Sequence, residues 1–371
     1  MASGRLSFLL EELLSFRYNE SMRGRLSVSS RLVSVSSRVF IAAVSLLALA
    51  SCAKKSSAAR SGGEAASDGS ERVIVGFSQI GAESAWRIYN SKDMQAAAQN
   101  AGIQLLYTNA EQKQENQIKA IRTFIMYQVD VIVFVPIVQD GWGNVLEEAR
   151  EAGIPVIVCD RKINAEYDGL YAGYVGTDSW EEGRQAARFL FRKYEGFSGT
   201  VNIFELRGTD GASASDGRIE GFRELLASDP RFRIICSESG DFMRSRGEEI
   251  ARNILAGGSR FAVNGEHIDA VFSCNDGMTL GLLDALDQQG IQTGTGSPVT
   301  IVTVDAQQEA IDRLKAGRIN CVVECNPEQG AAVMDLAKRL AAGLPIPLTT
   351  IVSGRVFTEY DDLSDLPERK Y

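Results

Sequence analysis

Between Glu71 and Phe357 the chain alternates short apolar runs with longer segments of helical periodicity, and this alternation is the feature that most constrains its fold. Val131-Ile132-Val133-Phe134-Val135 and Pro155-Val156-Ile157-Val158-Cys159 carry no polar residue in alternate positions. Runs of that kind suit strands buried on both faces of a parallel sheet, because helices must then cover each side. The remaining runs read the same way: 73–77, 104–108, 171–175, 201–205, 232–236, 270–274, 299–304 and 320–324. Helical segments lie between them at 86–100, 111–126, 142–152, 179–194, 218–226, 243–255, 277–289, 307–316 and 328–342, with Thr177-Asp178 able to cap the fourth. Strict βα alternation implies doubly wound α/β domains with parallel sheets. Two sets of units, about 100 and 150 residues long, make two lobes, a size in keeping with ordinary domains. The stretch 349–357 reads as extended and 358–371 as polar.

What precedes this pattern is of another kind. Scattered Arg residues lead to a twelve-residue apolar run, Val39–Ala50, which is short for a bilayer span and suits a signal-peptide core. The run ends Leu49-Ala50-Ser51-Cys52, which looks like a bacterial lipobox and makes Cys52 the expected lipidation site. Two or more acyl chains would hold the protein at a membrane surface. Met22, followed by Arg23 and Arg25, would give a pre-sequence of more ordinary length than Met1 does. Residues 52–70 are rich in Ser, Ala and Gly without apolar periodicity, and read as a flexible lipid-anchored tether.

Composition excludes several functions. The net charge of -9 argues against nucleic acid as a partner, which needs a concentrated basic face. Residues 1–51 hold six Arg and three acidic residues, so their removal leaves about -12, in keeping with an extracytoplasmic protein. A single histidine, His267, excludes a His-dependent triad and a multi-His metal centre, and no metal site is expected. No phosphate-cradling Gly-rich motif occurs: Gly76 and Gly81 complete neither dinucleotide nor P-loop spacing, and no cofactor is implied. Besides Cys52 the chain has five cysteines at 159, 236, 274, 321 and 325, with no C-x-x-C. Cys321 and Cys325 would lie roughly 13 Å apart on a strand, too far for a disulfide. Most of the five read as small buried residues.

Candidate binding residues cluster where apolar runs end, the place where open parallel sheets bind ligands. After Val73–Phe77 comes a turn of small and polar residues, then Glu83-Ser84-Ala85-Trp86-Arg87. Asp160-Arg161, Asn275, Asp305 and Glu324 each follow a buried-type run, and Arg218 begins an apparent helix after the Gly/Ser-rich stretch 208–217. A cation there is slightly disfavoured by the helix dipole, so a polar partner should hold it. The carboxylates Glu83, Asp160, Asp305 and Glu324 nearly balance Arg87, Arg161 and Arg218, which suits a neutral polyol rather than a phosphate or carboxylate ligand. The tryptophan offers an aromatic face for sugar C–H groups. Two of the carboxylates could be imagined as a glycosidase pair, but the βα pattern and the exported tether disfavour that reading.

At this level the chain resembles the periplasmic sugar-binding proteins of the ribose/galactose type, also called type I periplasmic binding proteins. It is most similar to their galactofuranose-binding branch. The resemblance covers residues 72–360 and rests on GFSQIGAESAWR (76–87), EQKQENQIKAIRTF (111–124), PVIVCDR (155–161), VGTD (175–178), ELRGTDGAS (205–213) with Arg218, SGDFMRSRG (239–247), CND (274–276), TVDA (303–306) and VVECNP (322–327). It implies two Rossmann-like lobes joined by three crossovers near Thr177, Glu324 and Thr350, with sugar bound between them. Residues 71–176 with 325–350 would form the N-terminal lobe, and 177–324 with 351–371 the C-terminal lobe. Ligand contacts would fall on Glu83, Ser84, Ala85, Trp86, Arg87, Asp160, Arg161, Arg218, Asn275 and Asp305, with Glu324 near the hinge. By the same resemblance the protein would not be an enzyme. It would act as a monomer that delivers a monosaccharide to the permease of an ABC importer and its ATPase subunit. A sensor handing the closed state to a chemoreceptor or kinase is the alternative. Ala85 stands where that branch has Gly, and Ser215-Asp216-Gly217 and Gly277 also depart from it. Repressors of the lactose type share the fold, but a helix-turn-helix would occupy the place where this chain has a signal sequence.

Overall fold

A computed structural model describes residues 72–258 and 260–371. The expected signal peptide, the tether and the Cys52 lipidation site lie outside the described residues. The chain from Val73 onward builds two six-stranded sheets and, among the described residues, nine α-helices. The first sheet contains β1 (Ile74–Gln79), β2 (Gln104–Asn109), β3 (Val131–Phe134), β4 (Val156–Cys159), β5 (Gly173–Gly176) and β13 (Thr349–Ile351). Its order is β13-β5-β4-β3-β1-β2 and every pairing is parallel. The second sheet contains β6 (Val201–Arg207), β7 (Phe232–Ser239), β10 (Ala270–Ser273), β11 (Thr300–Val304), β12 (Cys321–Val323) and β14 (Val356–Thr358). Its order is β14-β12-β11-β10-β6-β7, with only β14 antiparallel. A two-stranded ribbon, β8 (Ala262–Val263) with β9 (Glu266–His267), holds the lone histidine at the surface.

Both sheets are wound alike. In each, the second strand lies outside the first and the third lies on the first strand's other side, so the switch points fall at β1/β3 and at β6/β10. Crevices at the carboxyl ends of strands at such points are where doubly wound sheets bind ligands. The helices α1 (Ala85–Ala101), α2 (Gln114–Met126), α3 (Gly143–Glu151) and α9 (Gly330–Ala341) belong to the first sheet. Two apolar clusters cover its faces, one around Val75, Phe77, Met94 and Val333, the other around Phe124, Phe134, Trp142 and Leu146. The second sheet carries α4 (Ser179–Lys193), α5 (Ser213–Leu226), α6 (Arg244–Ala256), α7 (Asp276–Gln288) and α8 (Gln308–Lys315) around one large core that includes Phe204, Phe222, Phe272 and Leu283. Strands β3 and β4 are buried at every position, which is why their sequences show no alternation. Asp178 caps α4, accepting a hydrogen bond from the Glu181 amide at 3.1 Å.

The chain passes between the sheets three times: from β5 to α4, from β12 to α9, and from β13 to β14. The three passages lie side by side. Thr177 Oγ1 is 3.4 Å from Cys325 Sγ. The Glu324 amide donates to the Arg355 carbonyl at 2.7 Å, and the Arg355 amide donates back to the Glu324 carboxylate at 2.9 Å. Ile351 pairs with Gly176 in the first sheet, one residue past the boundary expected from sequence. Residues 358–371, polar in sequence, fold back, and Leu363, Leu366 and Tyr371 pack on the second core. All five cysteines among the described residues are free, four of them buried and Cys236 half-buried.

Candidate binding site between the sheets

The two sets of strand ends face one cavity. From the first sheet it is lined by Glu83, Ser84, Trp86, Arg87, Asp160 and Arg161. From the second come Ala214, Arg218, Phe242, Asn275 and Asp305, and Cys325 closes it at a crossing segment. Of the eleven residues expected from sequence, nine meet here; Ala85 and Glu324 do not line it.

Local chemistry fixes the first wall. Ser84 is the N-cap of α1 and accepts from the Arg87 amide at 3.1 Å, which turns Trp86 and Arg87 inward as the first helical turn begins. Arg87 then bridges two carboxylates: Nε donates to Glu83 Oε1 at 3.0 Å and Nη2 to Asp160 Oδ2 at 2.7 Å. Its guanidinium lies 4.7 Å from the centre of the Trp86 ring. Burial works against this cation, but Asp160 and Glu83 outweigh it and hold the Arg87 pKa above its ordinary value. Asp160 follows β4 with φ of 61°, a left-handed conformation uncommon for a residue with a Cβ. The Tyr174 hydroxyl stabilises that turn by donating to the Asp160 carbonyl at 2.8 Å. Arg161 comes next. Its Nη1 donates to the Ile137 carbonyl at 3.1 Å, and its guanidinium stacks 4.9 Å from the centre of the Phe242 ring on the opposite wall. Burial, then the nearby Arg87, lowers its pKa to about 10, so it remains charged at neutral pH.

The second wall repeats the strategy. Asp305 ends β11 with φ of 118° and Ala306 follows at 69°. Two carboxylates at equivalent strand ends are thus both held in sparsely populated backbone conformations, a form of strain that concentrates at ligand sites. Asn275 commits both of its polar side-chain atoms to the protein: Oδ1 caps α7 at the Met278 amide and Nδ2 donates to the Phe242 carbonyl, each at 3.0 Å. That second bond sets Phe242, which itself has φ of 60°. Behind the wall, Asp276 accepts from Thr303 Oγ1 at 2.8 Å and the Gln307 amide at 2.7 Å. Burial pushes Asp276 and Asp305 upward, and the like charge of Asp276 raises Asp305 further against the pull of Arg218.

Two sequence expectations need correction. Arg218 does not begin a helix: α5 starts at Ser213, so Arg218 sits in its second turn and the dipole argument for its placement falls away. Glu324 does end a buried strand, but its carboxylate is taken by the folded-back tail. Oε2 accepts from the Arg355 amide at 2.9 Å, and Oε1 pairs with Arg369 and takes the Tyr371 hydroxyl at 3.3 Å. It therefore braces the crossing rather than the cavity. Sequence reasoning missed Phe242, Ala214, Cys325 and the residue that holds Arg218, Glu182. The signal that could have drawn attention to Phe242 is its place in SGDFMRSRG (239–247), one of the stretches that carry the resemblance.

Several buried polar atoms at the site have no partner within the protein: Glu83 Oε2, Arg87 Nη1 and Arg161 Nε. Unpaired groups of this kind are costly unless a ligand or water completes them. The wall therefore offers both donors and an acceptor at fixed positions, among charges of both signs and one aromatic face.

Comparisons with known proteins agree with this fold. The galactofuranose-binding protein YtfQ of Escherichia coli K12 is 35% identical over 267 residues, covering 72% of this chain and 81% of that protein. A solved structure from Mycobacterium smegmatis in complex with β-D-fucofuranose superposes with a TM-score of 0.73 at 40% identity, covering 77% of this chain and 91% of that one. The periplasmic binding component of the arabinose ABC transporter of Shewanella sp. ANA-3, bound to α- and β-L-arabinofuranose, gives 0.72 at 37% identity, covering 77% and 92%. Residues 75–345 match the family described as periplasmic binding protein domain, so this chain belongs to the periplasmic binding proteins.

Proposed function

We propose that this protein is the substrate-binding subunit of an ABC-type sugar importer and that it takes up a monosaccharide in its furanose form. The observation that carries the reading is the cavity wall itself: Glu83, Arg87 and Arg161 leave buried donors and an acceptor unmatched beside the Trp86 ring. Each carboxylate can accept from sugar hydroxyls and each guanidinium can donate to hydroxyl or ring oxygens. The near balance of charge favours a neutral sugar over a phosphorylated or acidic one. The furanose preference is supported by relatives above 30% identity that are described with galactofuranose, fucofuranose and arabinofuranose. Such a protein binds its ligand and passes it on without transforming it. The lobes, 72–176 with 325–351 and 177–324 with 352–371, would close on the sugar by motion at the three crossings. The closed form would then dock on the permease. A signal peptide over 1–51 and diacylation of Cys52 would keep the protein beside that permease, as a monomer in the periplasm or cell envelope.

The test is calorimetry of the purified protein with D-galactose and L-arabinose, followed by carbon-13 NMR of the bound sugar labelled at C1. Tight binding with a furanose anomeric signal is the expected result. Binding of a pyranose signal alone would keep the class and overturn the ring form, and no binding by any monosaccharide would overturn the reading. Mass spectrometry of the envelope fraction, with Cys52→Ser as the control, tests the anchor.

A further inference from the structure

Arg218 is 3% exposed, and its side chain reaches the cavity from within the second sheet's helical layer. A guanidinium buried that deeply needs a counter-charge. The nearest cavity carboxylate, Asp305, is 3.8 Å from Nη2, beyond hydrogen-bond distance. The counter-charge comes instead from Glu182, in the first turn of α4 and 5% exposed, whose Oε2 accepts from Arg218 Nε at 2.7 Å. Nη1 donates to the Cys274 carbonyl at 2.6 Å. Two of the three guanidinium nitrogens are thus fixed from behind.

The reach of Glu182 depends on how closely α4 and α5 pack. A Cβ at Gly183 would collide with the Arg218 carbonyl oxygen, one at Gly221 with the Trp180 carbonyl oxygen, and one at Gly217 with Ser179 Oγ. Three glycines therefore let the two helix backbones touch, which brings a short acidic side chain on one helix onto an arginine of the other. The second carboxylate oxygen, Glu182 Oε1, is buried with no partner.

We propose that Glu182 is a positioning residue for ligand recognition. It does not line the cavity. It holds Arg218 with its Nη2 edge toward the ligand, and it supplies the charge that keeps Arg218 from pairing directly with Asp305. The inference rests on the sugar-binding reading above. The charged groups that face Asp305 are Arg218 from α5, Asp276 from α7, Glu182 from α4 and Asp160 from the first sheet. Removing the Glu182 charge leaves Arg218 with Asp305 as its nearest acid, so Asp305 ionises at lower pH and turns toward the arginine.

Two measurements test this on the full chain. The first is affinity for D-galactose and L-arabinose as a function of pH, in wild type, E182Q, R218M and the double variant, with thermal midpoints recorded for each. E182Q should weaken binding at least tenfold and move the pH dependence of affinity to lower pH, while the double variant binds no more weakly than R218M alone. If E182Q weakens binding by the same factor with and without Arg218, or leaves the pH profile in place, Glu182 is only a packing residue and the proposal fails. The second needs no sugar: the Arg218 Nε–H resonance should be protected from hydrogen exchange in wild type and lose that protection in E182A, which removes the acceptor oxygen that E182Q keeps. An unchanged resonance overturns the proposal. If wild type binds neither sugar, the resonance alone decides the role of Glu182, and the importer reading fails only if no other monosaccharide binds.

Discussion

The indole nitrogen of Trp86 lies 2.6 Å from the carbonyl oxygen of Cys325, to which it donates a hydrogen bond across 239 residues of chain. The ring lines the cavity while its polar edge is tied to the segment that crosses from β12 to α9. Ligand contact and crossing geometry thus share one side chain. Trp86→Phe keeps an aromatic face and removes the tether, so it should cost about 1 kcal/mol of stability, the ordinary net worth of one such bond. Trp86→Ala removes both and should weaken sugar binding sharply with the fold intact. Calorimetry and thermal unfolding of the two variants separate these effects; equal affinities in both would remove Trp86 from the site.

Arg161 combines a hydrogen bond to the Ile137 carbonyl, the Phe242 stack and a free Nε. Arg161→Ala should weaken binding by about 1.5–3 kcal/mol, the usual range for bonds made by a charged group, which is on the order of tenfold to a hundredfold in Kd. Titration calorimetry gives the number directly, and an unaltered Kd would mean that the ligand lies elsewhere.

Gln139, beyond β3, bonds to the second sheet's side of the cleft. Its amide donates to the Gly211 carbonyl at 3.0 Å and its Nε2 to Asp216 Oδ2 at 2.7 Å, while the Lys162 amide donates to Ser213 Oγ at 2.6 Å nearby. These contacts are made only when the walls are together. Gln139→Ala should therefore speed sugar release several-fold while changing the association rate little, since affinity differences usually lie in dissociation. Stopped-flow fluorescence of the protein measures both rates.

Asp276 and Asp305 carry a pH signature. Burial raises the Asp276 pKa to about 7, and the folded pair holds protons that the unfolded chain releases near the ordinary carboxylate value. Where the folded state binds more protons, stability falls as pH rises. The contribution is complete below about pH 4 and is lost as pH climbs through about 7. Thermal midpoints should fall over that window from this source, and Asp276→Asn should flatten the slope. A slope unchanged in that variant would show that the pair is already ionised in the folded protein.

Much of this architecture is legible in the amino-acid sequence. Val131–Phe134 and Val156–Cys159 announce doubly covered strands because burial on both faces leaves no place for polar alternation. Nine of the eleven expected site residues line the cavity because strand ends are local features of sequence. What the sequence hides depends on partners far along the chain. Glu324 looks like the other strand-end acids, and only Arg369, 45 residues later, diverts it. Glu182 sits beside Glu181 at the start of one amphipathic helix, and nothing local says which of the two is buried against Arg218. The true start of α5 is obscured because the Gly/Ser-rich stretch up to Gly217 reads as a loop, whereas close helix contact requires Gly217 within the helix.

The three crossings have a consequence for how this chain can be cut. The first sheet needs β13 and the second needs β14, both drawn from the C-terminal stretch that begins at Thr349. A fragment ending before Thr349 would expose a new edge on both sheets at once, an invitation to strand pairing between molecules. A cut at Cys325 would also take α9 from the first core. Neither lobe can therefore be expressed as one uninterrupted segment. A protein of the first lobe alone would have to be built by joining its two halves with a new loop between Gly176 and Cys325, where the crossings already lie side by side.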